Sequence, residues 1–107
     1  MLKIITDPQF TLDVDVALEG AEAPQSLRTT FRAIPEDEML GHDISTADGF
    51  KDFLRRVVVA FHDLVDDQDQ PVAYSAALRD QIIGFIHIRN ALNRAYWQAQ
   101  FKAKKGN

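Results

Sequence analysis

The sequence predicts an α+β fold, an N-terminal antiparallel β-hairpin or small sheet packed against three to four helices. Three observations predict it. Apolar and polar residues alternate over residues 9–18, a second alternation follows over 27–33, and apolar residues then recur at helical spacing over 47–64 and again beyond Ser75. The 107 residues are one domain's worth, so a single domain spanning 1–107 is expected.

In the first alternation Phe10, Leu12, Val14, Val16 and Leu18 interleave with Thr11, Asp13, Asp15 and Ala17. Side chains on a strand point to opposite faces in turn, so this pattern marks one buried face. Glu19 to Pro24 read as a turn-like break. The second run sets Leu27, Thr29, Phe31 and Ala33 against Arg28, Thr30 and Arg32. Pairing Val16 with Leu27 puts Leu12 opposite Phe31 and Asp15 opposite Arg28. Apolar pairs then share one face and opposite charges the other.

Pro35 ends the second strand and is suited to begin a short helix through Glu36, Asp37 and Glu38, closed by Gly41 and the polar stretch to Ser45. A longer helix is expected over about 47–64, capped by Ser45 or Thr46. Phe50, Phe53, Leu54, Val57, Val58, Phe61, Leu64 and Val65 form its stripe. Val57-Val58-Val59 also fits a strand, but the surrounding period and Arg55-Arg56 favour helix. A polar loop covers 66–71. Ser75 is placed to cap a further helix that runs to about Lys102 with a break near Gly84. Leu78, Phe85, Ile88, Leu92, Tyr96 and Ala99 lie on or near one face of this region. Ile86, Asn90, Trp97 and Phe101 mark a second, partly apolar face.

Composition narrows the function. Hydrophobic residues make up 46% and charged residues 26%, which argues against disorder over most of the chain. A chain of this size buries roughly 65% of its unfolded surface, enough for one core without staples. The absence of cysteine excludes disulfides, thiolate nucleophiles and cysteine metal sites, and fits a reducing compartment. No apolar run approaches the roughly 20 residues of a membrane span, and the start lacks a signal-peptide core. A net charge of −4 repels phosphate backbones, so no nucleic-acid or membrane partner is expected. The basic cluster Lys102, Lys104 and Lys105 suits a helix C-terminus.

Specific residues carry a family resemblance. Phe10 leads the first strand and Phe31-Arg32 lies in the second. Arg56-Val57-Val58-Val59-Ala60-Phe61-His62-Asp63-Leu64 follows, then the acidic Asp66-Asp67-Gln68-Asp69-Gln70-Pro71-Val72. Tyr74-Ser75-Ala76-Ala77-Leu78 opens the last helical region, and Ala95-Tyr96 and Lys105-Gly106-Asn107 close the chain. Over about residues 9–107, and most specifically over 56–78, this resembles the phage and prophage tail assembly chaperones of long-tailed phages. One departure is Phe61-His62-Asp63-Leu64, where many members carry Trp-Asp-Gly in the turn.

The resemblance implies a non-enzymatic protein that holds the long, helical, aggregation-prone tape measure protein until tail tube subunits polymerise around it. It implies work in the cytoplasm of the bacterial host and absence from the mature virion. Self-association is compatible with it. The rival expectations are a neck, tail-completion or other small structural phage protein, and an enzyme with an unrecognised site.

No catalytic, metal or cofactor site is expected. His42, His62 and His87 form no H-x-x-x-H pair. Asp63, Asp66, Asp67 and Asp69 lack the glycine and closing glutamate of a calcium loop. Ser26, Ser45 and Ser75 sit in no G-x-S-x-G. Asp13 and Asp15 face Arg28 and Arg32, as a charged cross-strand surface does. The candidate partner-binding residues are Ile86, Asn90, Trp97 and Phe101, because aromatic anchors favour protein interfaces. The same face could instead pack under the hairpin as core. Both faces of one helix cannot be core in so thin a domain.

Overall fold

A computed structural model describes residues 1–18 and 20–102. Strand β1 (Gln9–Val16) pairs antiparallel with β2 (Gln25–Arg32). Helix α1 (Glu36–Leu40) and helix α2 (Ala47–Val57) follow, and β3 (Val58–His62) returns to the sheet beside β2. The sheet order is β1-β2-β3, with β2 central. Strands β4 (Leu64–Val65) and β5 (Pro71–Val72) make a small hairpin. Helices α3 (Ala76–Ile83) and α4 (Ile86–Lys102) follow. The arrangement is α+β, an antiparallel three-stranded sheet with four helices.

The hairpin forms with the expected faces and a different register. Val14 pairs with Leu27 and Asp13 with Arg28, two residues from the expected Val16–Leu27 and Asp15–Arg28 pairings. A slip by two preserves which side chains face the core, so alternation alone cannot detect it. The observed register sets Phe10 opposite Phe31, with ring centroids 5.5 Å apart. It also brings Arg28 Nη1 to Asp13 Oδ1 at 3.1 Å on the open face.

The expected helix over 47–64 ends at Val57. Val58 turns extended (φ −84°, ψ 117°), and β3 takes up the free edge of β2. A bulge at Thr30/Phe31 lets Val58 pair with Phe31 and Phe61 with Thr29, so two residues three apart both face the core. That spacing imitates a helical period. Three β-branched valines and an unpaired edge then favour the strand.

The remaining elements start and stop where local chemistry directs. Thr46 Oγ1 accepts from the Gly49 N–H at 3.0 Å, and Ser75 Oγ from the Leu78 N–H at 3.0 Å, so both helices begin at side-chain caps. Gly84 ends α3 and separates it from α4. Asp63 occupies the left-handed region (φ 58°) between β3 and β4. An aspartate there makes the turn for which a glycine is otherwise suited.

The core lies between the inner sheet face and helices α2 and α4, and its centre is Tyr96. The ring is fully buried, within 5.4–5.8 Å of Phe31, Phe53 and Phe10 by centroid. Its hydroxyl donates to the Arg32 carbonyl at 2.8 Å and accepts from the Ile34 N–H at 3.1 Å, where β2 gives way to α1. Gln100 Nε2 adds a third contact at 2.9 Å. Burial holds the phenol above its ordinary pKa, and the Ile34 N–H acts in the opposite direction.

Candidate partner-binding surface

Helix α4 carries the four candidate residues. Ile86, Asn90, Trp97 and Phe101 are separated by four, seven and four positions, which places them on one side of an α-helix. The stripe is about 22 Å long at the usual helical rise. Leu92 and Tyr96 turn the other way, and with Ala91 they are the helix's buried residues. Their packing against the sheet and α2 fixes the rotation of α4, and the candidate stripe points outward as a result.

The four positions do not behave alike. Ile86 is 61% exposed and Phe101 62%, so both ends of the stripe are solvent-facing apolar surface. Asn90 is exposed between them, beside His87 and Arg94. Trp97 is half-buried. Its ring stacks on Phe101 at 5.8 Å and lies 6.4 Å from Phe53, and its Nε1–H donates to Asn93 Oδ1 at 2.9 Å. Trp97 therefore bridges core and surface, and Phe101 lies on top of it.

Two more large apolar residues are exposed, Phe85 and Leu40. Phe85, grouped by spacing with Leu92 and Tyr96 on or near one face, is 60% exposed. It occupies the break between α3 and α4, where helical phase is lost and the ring falls outside the packed layer. Leu40, at the end of α1, is 68% exposed. Near it, Ile34, Glu36, Met39, Gln100 and Phe101 line a shallow cleft. Sequence periodicity had no means of finding either residue, since one lies in a junction and the other in a single-turn helix.

Several titratable groups are held in surface pairs. The Arg32 guanidinium, 2.8 Å away, lowers the pKa of Asp7, and the Gln9 amide adds to the effect. Arg56 does the same to Glu38, and Arg55 to Asp80. These pairs tie the start of β1 to β2, α1 to α2, and α2 to α3. His62 Nε2 shares a 2.7 Å hydrogen bond with Thr30 Oγ1, which in turn contacts Thr11 Oγ1 at 2.8 Å across the open sheet face. His42 packs edge-on to Phe53. Asp66 Oδ1 accepts from the Gln68 and Gln70 N–H groups at 2.8 and 3.0 Å, so this aspartate organises the β4–β5 loop. Among the described residues, no group of three His, Asp or Glu side chains could hold a metal ion. No described helix is long and apolar enough to cross a membrane. Lys104 and Lys105 of the basic cluster lie outside the described residues.

Comparison with known proteins finds no family model, no curated protein and no solved structure that matches the chain.

Proposed function

We propose that this protein is a non-enzymatic tail assembly chaperone of a phage or prophage, holding an apolar helical segment of the tape measure protein along the outer face of α4. The observation that carries the reading is the exposure of Ile86 and Phe101 at the two ends of one helical face, with Trp97 stacked beneath Phe101. An amphipathic helix with apolar side chains at steps of three and four has the geometry to lie along such a stripe. Half-exposed aromatics backed by core packing are pre-ordered, so a partner gains their burial at little entropic cost. The family resemblance over residues 9–107 supplies the client's identity.

Reversible apolar contact suits a holder that must release its client to tail tube subunits. The working place under this reading is the cytoplasm of a bacterial host, with no nucleic-acid, membrane or cofactor partner.

Coexpression with the tape measure protein of the same operon tests the proposal. The wild-type chain is expected to keep that protein soluble and to copurify with it. Ile86→Asp with Phe101→Asp should abolish both effects while the melting temperature stays near wild type. A client equally soluble with the double variant would rule out the α4 face. Finding the chain in purified virions by mass spectrometry would favour a structural tail subunit instead.

A further inference from the structure

The free edge of the sheet and the segment before it are complementary. Residues 1–6 read Met-Leu-Lys-Ile-Ile-Thr, and Leu2 and Ile4 are 87% and 82% exposed. This is an apolar, β-prone stretch left in solvent. It departs from the line of β1 at a bend on Thr6 and Asp7.

Strand β1 has β2 on one side and, among the described residues, no strand on the other. The Ala33 N–H donates to the Pro8 carbonyl at 2.9 Å. The even-numbered residues of β1 therefore turn their main-chain groups toward β2, and Thr11 and Asp13 turn theirs toward the open edge. Below that edge, half-buried Phe10 and Leu12 and the end of α4 at Ala99 and Gln100 line an apolar groove of about 490 Å³. A long, unpaired edge beside an apolar groove is a template for another strand.

We infer that residues 1–6 of a second copy of this chain add antiparallel to the free edge of β1, exchanging reciprocally in a dimer. The register we assign sets Leu2 and Ile4 inward and Lys3 among the outer carboxylates, with Ile5 left on the outer face opposite Thr11. Ile4 opposite Leu12 places Leu2 opposite Val14, both on the inner face, with Ile4 beside the groove that Phe10 and Leu12 line. It places Lys3 opposite Asp13 and diagonal to Asp15, on the outer face. Asp15 is in no ion pair among the described residues, and Lys3 is the only charged residue of the segment. The main-chain groups of Lys3 and Ile5 meet the open ones of Asp13 and Thr11. A shift by one residue would set Leu2 and Ile4 on the wet face. Because each segment pairs with the other copy's edge in the same register, a two-fold axis satisfies both edges at once. The exchange straightens the bend at Thr6 and Asp7. It uses a different surface from the client-binding face of α4 and does not depend on it.

Sedimentation over a wide concentration range tests the inference. The wild-type chain is expected to form a dimer. Leu2→Asp with Ile4→Asp should leave a monomer that melts as the wild type does when diluted below its dimer dissociation constant, because both side chains are solvent-exposed in the single chain. Lys3→Glu should weaken the dimer several-fold, with a smaller effect in high salt. The lack of cysteine permits a check of register. Opposed residues in this ladder lie about 5.5 Å apart at Cα, within disulfide range. An oxidised mixture of an Ile5→Cys chain and a Thr11→Cys chain should give a cross-linked heterodimer, and either chain alone should not. A monomeric wild type, a dimer that survives the double aspartate substitution, or absence of the mixed cross-link would each overturn the exchange.

Discussion

Helices α2 and α4 are both built on apolar residues three and four apart, and they use them differently. In α2 the apolar side chains form one stripe, and Phe53, Leu54 and Val57 are fully buried. Its outer face is charged and tied down, with Arg55 held by Asp52 and Asp80 and Arg56 by Glu38. In α4 the apolar residues surround the helix. Leu92 and Tyr96 are fully buried, while Ile86 and Phe101 remain over half exposed on the other side. Among the described residues α4 makes no ion pair. A sheet with one covered face can bury one side of each helix. An apolar residue on the far side adds nothing to that core, and it remains available to a partner.

Truncating the buried side of either helix should cost most. Phe53→Ala removes a fully buried ring in contact with Tyr96 and Trp97, and we expect a loss of about 3–5 kcal/mol by urea unfolding. A loss under about 1 kcal/mol would mean that the α2 stripe is not the core's anchor. Tyr96→Phe keeps the ring and removes the hydroxyl. It leaves the Ile34 N–H without its buried partner, at a cost of about 1–3 kcal/mol.

Gly49 sharpens the contrast from within α2. A Cβ there would clash with the Asp43 carbonyl oxygen, a main-chain atom with little freedom to move. Alanine gains about 1 kcal/mol of helix propensity over glycine. We expect the clash to outweigh this, leaving Gly49→Ala destabilised by about 1–3 kcal/mol in thermal melts. A stabilised Gly49→Ala would show that Asp43 can withdraw freely.

The outer face of α4 should respond in the opposite way. Ile86→Ala is expected to change stability by no more than about 0.5 kcal/mol and to weaken client retention in the coexpression assay. Trp97→Ala should affect both, since that ring touches Phe53 as well as Phe101. Equal stability losses at Ile86 and Phe53 would erase the distinction between the helices.

Acid provides the smallest effect. Asp7, Glu38 and Asp80 have pKa values lowered in the folded chain, chiefly by hydrogen bonds from Arg32, Arg56 and Arg55. A carboxylate whose folded pKa is depressed contributes stability above its unfolded pKa and loses it as pH falls through the folded value. The melting temperature should therefore decline slightly below about pH 4.5, the ordinary range of these groups. High salt should reduce the decline, because the pairs are exposed. A pH-independent melt would show that these three ties contribute nothing measurable.

The two strands of the hairpin, a cap at Ser45 or Thr46, the cap at Ser75 and the break at Gly84 were legible because each depends on neighbours in sequence. Alternation reports which side of a strand is buried, and a hydroxyl before a helical run can reach the N–H three residues on. The faces of β1 and β2, though not their register, follow from such local rules. Strand β3 was not legible. Its core residues Val58 and Phe61 are three apart only because of a bulge opposite Thr30 and Phe31, and its extended form depends on the edge that β2 presents from some 30 residues away.

The same division holds for the candidate surface. The sequence by itself determined that the last helix carries more apolar residues than one face can bury, and which four belong to the second face. Only the tertiary structure decided that Tyr96 turns inward, that Trp97 is half covered by Phe53 and Phe101, and that Phe85 slips out at the helix junction. A helix's rotation is fixed by what it packs against, and for α4 that is the inner face of the sheet and α2, both distant in the chain.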